Sequence, residues 1–172
     1  SVVDKDGNAI TLIQSVFLQY GSGYIVPGTG VLLNDRLSGF SLAPASPNVL
    51  AGAKRPIHTL NTFMVQREGE LTMLGASPGG HYQTQANFQV LSNAIDHGMH
   101  WQAAMDAPRW YHDEQSGTVS LESRFEPDVA GALAQRGHKA EWGPAFMDRA
   151  RTQGIMIDPV SGARYGATDP RW

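Results

Sequence analysis

Three times in this chain two apolar runs are joined by a short acidic or glycine-bearing turn. The first pair is Val2-Val3 and Ala9 to Phe17 around Asp4-Lys5-Asp6-Gly7-Asn8. The second is Thr62-Phe63-Met64-Val65 and Leu71 to Leu74 around Arg67-Glu68-Gly69-Glu70, and the third is Ile155-Met156-Ile157 and Ala163-Arg164-Tyr165 around Asp158 to Gly162. Asp, Asn and Gly supply the backbone conformations that short antiparallel connections require. Between the second and third pairs the apolar spacing turns helical. Phe88, Leu91 and Ile95 recur at three- and four-residue intervals, which predicts a helix over Thr84 to Asp96 stopped by His97-Gly98. A second helix is expected from His100 to Ala107, ended by Pro108, and a third from Pro127 to Arg136 before Gly137, with a strand near Val119 to Glu122 between them. Strands, helices, a strand, a helix and strands again predict an α+β fold, with helices layered on one or two antiparallel sheets.

Tyr20 to Pro56 breaks this pattern. It is dense in Gly, Pro, Ser and Asn and offers only Val31-Leu32-Leu33 as a strand. So long an irregular connection suits either a surface loop or a binding segment. The stretch Gly75-Ala76-Ser77-Pro78-Gly79-Gly80-His81 is a second irregularity, placed between a strand and the longest helix. It reads as a flexible turn or as a helix entrance whose bare N–H groups face something negative.

At 172 residues, with 41% hydrophobic and 17% charged side chains, the chain is long enough to bury a core. A formal charge of −3 without a basic stripe gives no footprint for nucleic acid or anionic membrane, and no apolar run is long enough to span a bilayer. No cysteine is present, which excludes disulfides and thiolate metal sites, and the six histidines lack an H-x-x-x-H spacing. Neither a metal nor a cofactor is expected. The nucleophile-elbow, phosphate-loop and dinucleotide fingerprints are also missing. Asp4 with Asp6 and Asp113 with Glu114 fall in turns and read as solvated. Asp106-Ala107-Pro108-Arg109-Trp110 reads as a buried corner with Arg paired to Asp, and Thr168-Asp169-Pro170-Arg171-Trp172 as a structural lock.

Six motifs, taken in order, resemble the small carboxyl-terminal subunit of gamma-glutamyltransferases, an N-terminal-nucleophile hydrolase family. They are Val2-Val3-Asp4-Lys5-Asp6-Gly7-Asn8-Ala9, Pro27-Gly28-Thr29-Gly30-Val31-Leu32-Leu33-Asn34, Lys54-Arg55-Pro56, Ser77-Pro78-Gly79-Gly80, Asp106-Ala107-Pro108-Arg109 and Tyr165 to Arg171. The likeness covers nearly the whole chain. It implies that residues 1–172 are the small-subunit part of an αββα four-layer sandwich completed by a separate large subunit from the same precursor, and it suggests export to a periplasmic or secreted location. It also implies self-cleavage of the precursor, with a new amino-terminal threonine four places before Ser1 as nucleophile toward an amide. A strand-like start at Ser1 is what such a cut would leave.

Under the same resemblance Gly79 and Gly80 match the oxyanion-hole pair, and Ser15 matches a threonine whose hydroxyl assists the nucleophile. The substrate shell departs from the family pattern. Phe17 stands where an Asn holds the substrate carboxylate, Gly39 replaces an acid that binds the α-amino group, and Arg36 replaces a Gln. The usual Ser-Ser pair becomes His58-Thr59, and His81 follows the two glycines. The expected reaction is hydrolysis or transfer of an acyl group from a small amide such as a gamma-glutamyl or glutaryl compound. An acylase of the cephalosporin type is the alternative, with Arg36 and His58 as candidate donors to a carboxylate at the far end of the acyl chain. A cleavage-deficient binding or scaffold protein is the reading from another class.

Overall fold

The computed structural model, which describes residues 1–171, pairs strands at all three expected turns. It divides into two compact units, Ser1–Ile13 with the chain from Asn61 onward, and Gln14–Leu60.

In the first unit, β1 (Val2–Val3) pairs with β2 (Ala9–Ile10). The Asp4 carboxylate closes the turn by accepting from the Asp6 and Asn8 N–H groups, each at 2.9 Å, and from the Asn8 side chain at 2.8 Å. The return strand is shorter than expected, ending at Ile10 instead of Phe17. Its register sets Val2 against Ile10, and past Thr11 no strand among the described residues pairs with it. The second hairpin joins β3 (Thr62–Arg67) to β4 (Glu70–Ala76) through Glu68 and Gly69, both left-handed at φ 55° and 89°. That is the two-residue geometry matching the twist of antiparallel strands.

A short 3-10 turn, Gly80–Tyr82, leads into α1 (Gln83–Ile95), and α2 (Trp101–Asp106) follows. The expected apolar stripe of α1 does not form the core. Phe88 and Ile95 are 62% and 54% exposed, while Gln83, Ala86, Asn87, Gln89 and Val90 are buried. Small Ala86 and Val90 are the packing side chains; buried Gln83 and Asn87 bond Asn61, while Gln89 and the half-buried Gln85 serve the neighbouring strand β5 (Trp110–Asp113). Gln89 bonds the Trp110 N–H and C=O at 3.0 and 2.8 Å, and Gln85 bonds those of His112 at 2.8 and 2.9 Å. Two glutamines one helical turn apart thus satisfy an edge that would otherwise lack partners.

The strand β6 (Thr118–Glu122) pairs antiparallel with β5; then α3 (Val129–Gln135) returns the chain so that β7 (Lys139–Gly143) runs parallel to β6. This parallel pair corrects the all-antiparallel expectation, because a helical crossover brings the chain back to the same end of the sheet. The third hairpin is β8 (Gln153–Ile157) with β9 (Arg164–Thr168), and the second sheet runs β3-β4-β8-β9. Val90, Trp101, Ala104 and Met105 pack with Phe63, Met73 and Met156 of that sheet. A smaller cluster joins Ala86, Tyr111, Met147 and Ala150.

The second unit, 14–60, contains a 3-10 turn at Arg36–Gly39 and isolated bridges Ile25↔Leu32 and Ser41↔Val49. The strand expected at Val31-Leu32-Leu33 reduces to the single bridge at Leu32. Gly28 and Gly30, at φ 77° and 71°, reverse the chain tightly, so that Val26 and Val31 close on each other.

Candidate functional site

In the first unit, β4 ends at Ala76 and the chain turns through Ser77-Pro78 into two left-handed glycines, φ 132° at Gly79 and 56° at Gly80. A Cβ on Gly79 would collide with the Arg149 carbonyl and lie 2.6 Å from Ala150 Cβ, so only glycine fits. At Gly80 the same construction meets nothing within 4 Å, and this position opens to free space. The Gly79 carbonyl accepts from Tyr82 N–H at 3.0 Å and anchors the helix entrance. Among the described residues, neither the Gly79 nor the Gly80 N–H has a hydrogen-bond acceptor. Gly79 lines a cavity of about 110 Å³ with Pro78 and Asp148 to Arg151. Such a turn presents donors toward negative charge at the positive end of α1. His81 is exposed and lines a different cavity, with Tyr82, Gln85, His112 and Asp113.

Behind this turn lies a buried ionic lock. Arg109 pairs with Asp169 at 2.6 Å, and Arg171 pairs with Asp169 at 3.0 Å and with Glu122 at 2.6 Å, all with almost no exposure. Arg109 also donates to the Ala150 carbonyl at 3.1 Å, which ties the lock to the wall beneath Gly79. The two Asp-Pro-Arg-bearing motifs therefore do form a structural corner, but Arg109 uses Asp169, while Asp106 accepts from Gln102. Trp172, part of the expected lock, lies outside the described residues. Glu122 was not singled out in the sequence; the signal was that two buried arginines need more anion than Asp169 supplies. Burial pushes its carboxyl upward, but the Arg171 guanidinium and the Met147 N–H overcome this and hold it below the usual carboxylate range.

The second unit brings together Ser15, Phe17, Arg36 and Thr59. Ser15 is exposed, and its Oγ accepts from the Phe17 N–H at 2.9 Å. Asp35 fixes this bend by accepting from Leu18 N–H at 3.1 Å and donating its own N–H to Val16 at 3.2 Å. Phe17 adopts φ 79°, a left-handed conformation unusual for a bulky residue. Its ring lies 5.1 Å from the Arg36 guanidinium carbon. Arg36 is only 8% exposed; Nη1 reaches Thr59 Oγ1 at 3.4 Å, and Nη2 is buried without a partner among the described residues. His58, by contrast, is exposed. Gly39 packs close to Ile57, whose Cγ2 would stand 3.0 Å from an added Cβ. Among the described residues no cluster of His, Cys, Asp or Glu has the makings of a metal site.

A family model described as gamma-glutamyltranspeptidase matches residues 1–172. The glutathione hydrolase proenzyme of Escherichia coli is 34% identical over 181 residues, covering 99% of this chain and 30% of that relative. The chain thus spans under a third of that relative's length. A mutant gamma-glutamyltranspeptidase of Helicobacter pylori superposes with a TM-score of 0.85 at 28% identity, covering 99% of this chain and 97% of that one. A cephalosporin acylase from Bacillus halodurans matches with a TM-score of 0.81 at 38% identity over 92% of this chain and 30% of its own.

Proposed function

The chain belongs to the gamma-glutamyltranspeptidase family, with its α+β N-terminal-nucleophile hydrolase fold, and on that premise we propose that it is the small-subunit part of an amide hydrolase or acyltransferase matured from a precursor. A threonine four places before Ser1 attacks the amide carbonyl, releasing the amine and leaving the acyl group as an ester on its oxygen. Water or an acceptor amine then removes the acyl group. Gly79 and Gly80 stabilise the oxyanion through their N–H groups, and Ser15 assists the attacking hydroxyl. The remainder of the fold comes from a large subunit of the same precursor.

The observation that carries this reading is the Gly79-Gly80 turn. Two adjacent N–H groups are left without acceptors at a helix entrance, on a backbone that only glycine allows where Gly79 meets Ala150. A flexible loop has no reason to keep Gly79 against that wall. Phe17, Arg36, Thr59, His58 and His81 are assigned to the acyl-donor side. Incubating the complete precursor with gamma-glutamyl and glutaryl p-nitroanilides should release p-nitroaniline. It should also add the acyl mass to the peptide carrying the upstream threonine. Complete processing without turnover of either donor and without an adduct would favour a binding or scaffold role instead.

The acylase reading has its own support. No carboxylate among the described residues pairs with Arg36, Gly39 offers none, and Asp35, the acid of this bend, already accepts from the Leu18 N–H at 3.1 Å.

A further inference from the structure

Oxyanion donors help a reaction only if they are already aimed when charge develops on the carbonyl oxygen. Two consecutive glycines, at φ 132° and 56°, give the backbone room but little stiffness of their own. The direction of their N–H groups must therefore be imposed from outside the turn. One support is the segment Met147 to Arg151. The Arg149 carbonyl and Ala150 fill the space that a Gly79 Cβ would need, and Arg151 donates its N–H to the Pro78 carbonyl at 3.3 Å. That segment is itself fastened. Glu122 accepts from the Met147 N–H at 2.8 Å, the Met147 carbonyl from the Arg149 N–H at 2.9 Å, and the Ala150 carbonyl from Arg109 at 3.1 Å, while Asp148 pairs with Arg151 at 2.5 Å.

The other support is a single aromatic side chain. Tyr82 donates its N–H to the Gly79 carbonyl at 3.0 Å, and its ring meets the Tyr111 ring edge-on at 5.3 Å and the Arg149 guanidinium at 5.1 Å. Arg149 pairs with no carboxylate among the described residues, so the Tyr82 ring is what orients it. Arg149 also borders both the cavity at Gly79 and the cleft that Tyr82 and Tyr111 line. Resting on the acyl-transfer reading above, we propose that Tyr82 and Arg149 are positioning residues, whose stack closes a loop from Gly79 through Tyr82 to Arg149 and back to Gly79 and thereby aims the two glycine N–H groups. The ring and not the hydroxyl carries this role, because the hydroxyl reaches only Asp113, at a long 3.4 Å.

The test measures kcat and KM for glutaryl and gamma-glutamyl p-nitroanilides on the complete processed protein and on Y82F, Y82A, R149K, R149A and Y82A/R149A, each corrected for its folded fraction by circular dichroism. A misplacement of about 1 Å can cost about a hundredfold, so Y82A and R149A should each lose at least about tenfold in kcat with KM held within about threefold. Y82F should stay within about twofold of the wild type, and R149K, which keeps the charge but not the planar stack, should fall between wild type and R149A. The double variant should lie within about threefold of the weaker single one, since either substitution opens the same loop. Losses that multiply in the double variant overturn the proposal, as does Y82F as impaired as Y82A. A rise in KM at constant kcat also overturns it and assigns the pair to substrate binding. Y82A and R149A within about twofold of the wild type in kcat overturn it while leaving acyl transfer intact. Silence of the wild type toward both donors overturns the acyl-transfer reading and this proposal with it. If Y82A fails to fold, R149A and R149K decide, because the exposed Arg149 side chain takes no part in the core.

Discussion

Replacing Glu122 by Gln should remove much of the stability of the unit that presents Gly79. The carboxylate accepts from Arg109 N–H at 3.0 Å, Met147 N–H at 2.8 Å, Arg124 Nη2 at 2.6 Å, Arg171 Nε at 2.6 Å and Arg171 Nη2 at 2.7 Å. A glutamine has one acceptor oxygen. Set at Oε1 it keeps Met147 and Arg171 Nε, and its NH₂ then faces the other three donors. Arg124 is 25% exposed and turns to water, which leaves two buried donors opposed. At about 1–3 kcal/mol for each, the loss is about 2–6 kcal/mol, in line with about 3–5 kcal/mol for breaking a buried ion pair from one side. Against a total of about 5–15 kcal/mol this is large. Urea unfolding followed by far-ultraviolet circular dichroism should show the midpoint falling by about 1–3 M. The same group sets an acid limb. Its folded carboxyl titrates below the unfolded one, so its contribution is full above the unfolded value of about 4.3 and disappears as pH falls through the folded value. The wild type should therefore lose stability on acidification, and E122Q should lose less. A midpoint shift under about 0.3 M, or an acid limb identical in both proteins, would refute the argument.

Other consequences are equally direct. Ser15→Ala should lower kcat by about tenfold or more while Ser15→Thr retains most of it, because only the hydroxyl is required; equal turnover in the two would reduce Ser15 to a turn residue. Gly79→Ala should destabilise by about 3 kcal/mol or prevent folding, since its Cβ meets the Arg149 carbonyl and Ala150, whereas Gly80→Ala meets nothing and carries only the left-handed cost of about 1–2 kcal/mol; thermal melts that rank them the other way would contradict this packing. Phe17→Asn relieves the strain of φ 79° as it gives up the Arg36 contact, while Phe17→Ala keeps the strain and loses the contact. Asn should melt higher than Ala, and the reverse order would mean that the bend is not strained.

The sequence alone determined the hairpin turns, the three helices and the α+β class. These depend on local chemistry: Asp4 and Asp158 bond the backbone within four residues, Glu68-Gly69 sets the turn through its own φ angles, and Pro108 and Gly137 stop helices by what they lack or permit. Motif order along the chain also sufficed to indicate the family. Tertiary structure decided which faces are inside. The Phe88, Leu91 and Ile95 stripe obeys helical spacing, yet α1 turns Gln85 and Gln89 inward from that stripe to an edge strand 21 to 27 residues away that needs hydrogen bonds. It likewise chose Asp169 as the partner of Arg109 and made Glu122 the centre of the lock, since electrostatic pairing is settled by distance in space and not by position in the chain. Arg36 carries the same lesson. The resemblance already marks it as a candidate donor to a carboxylate, and the structure adds its burial against Phe17 and Thr59 without an ion-pair partner among the described residues.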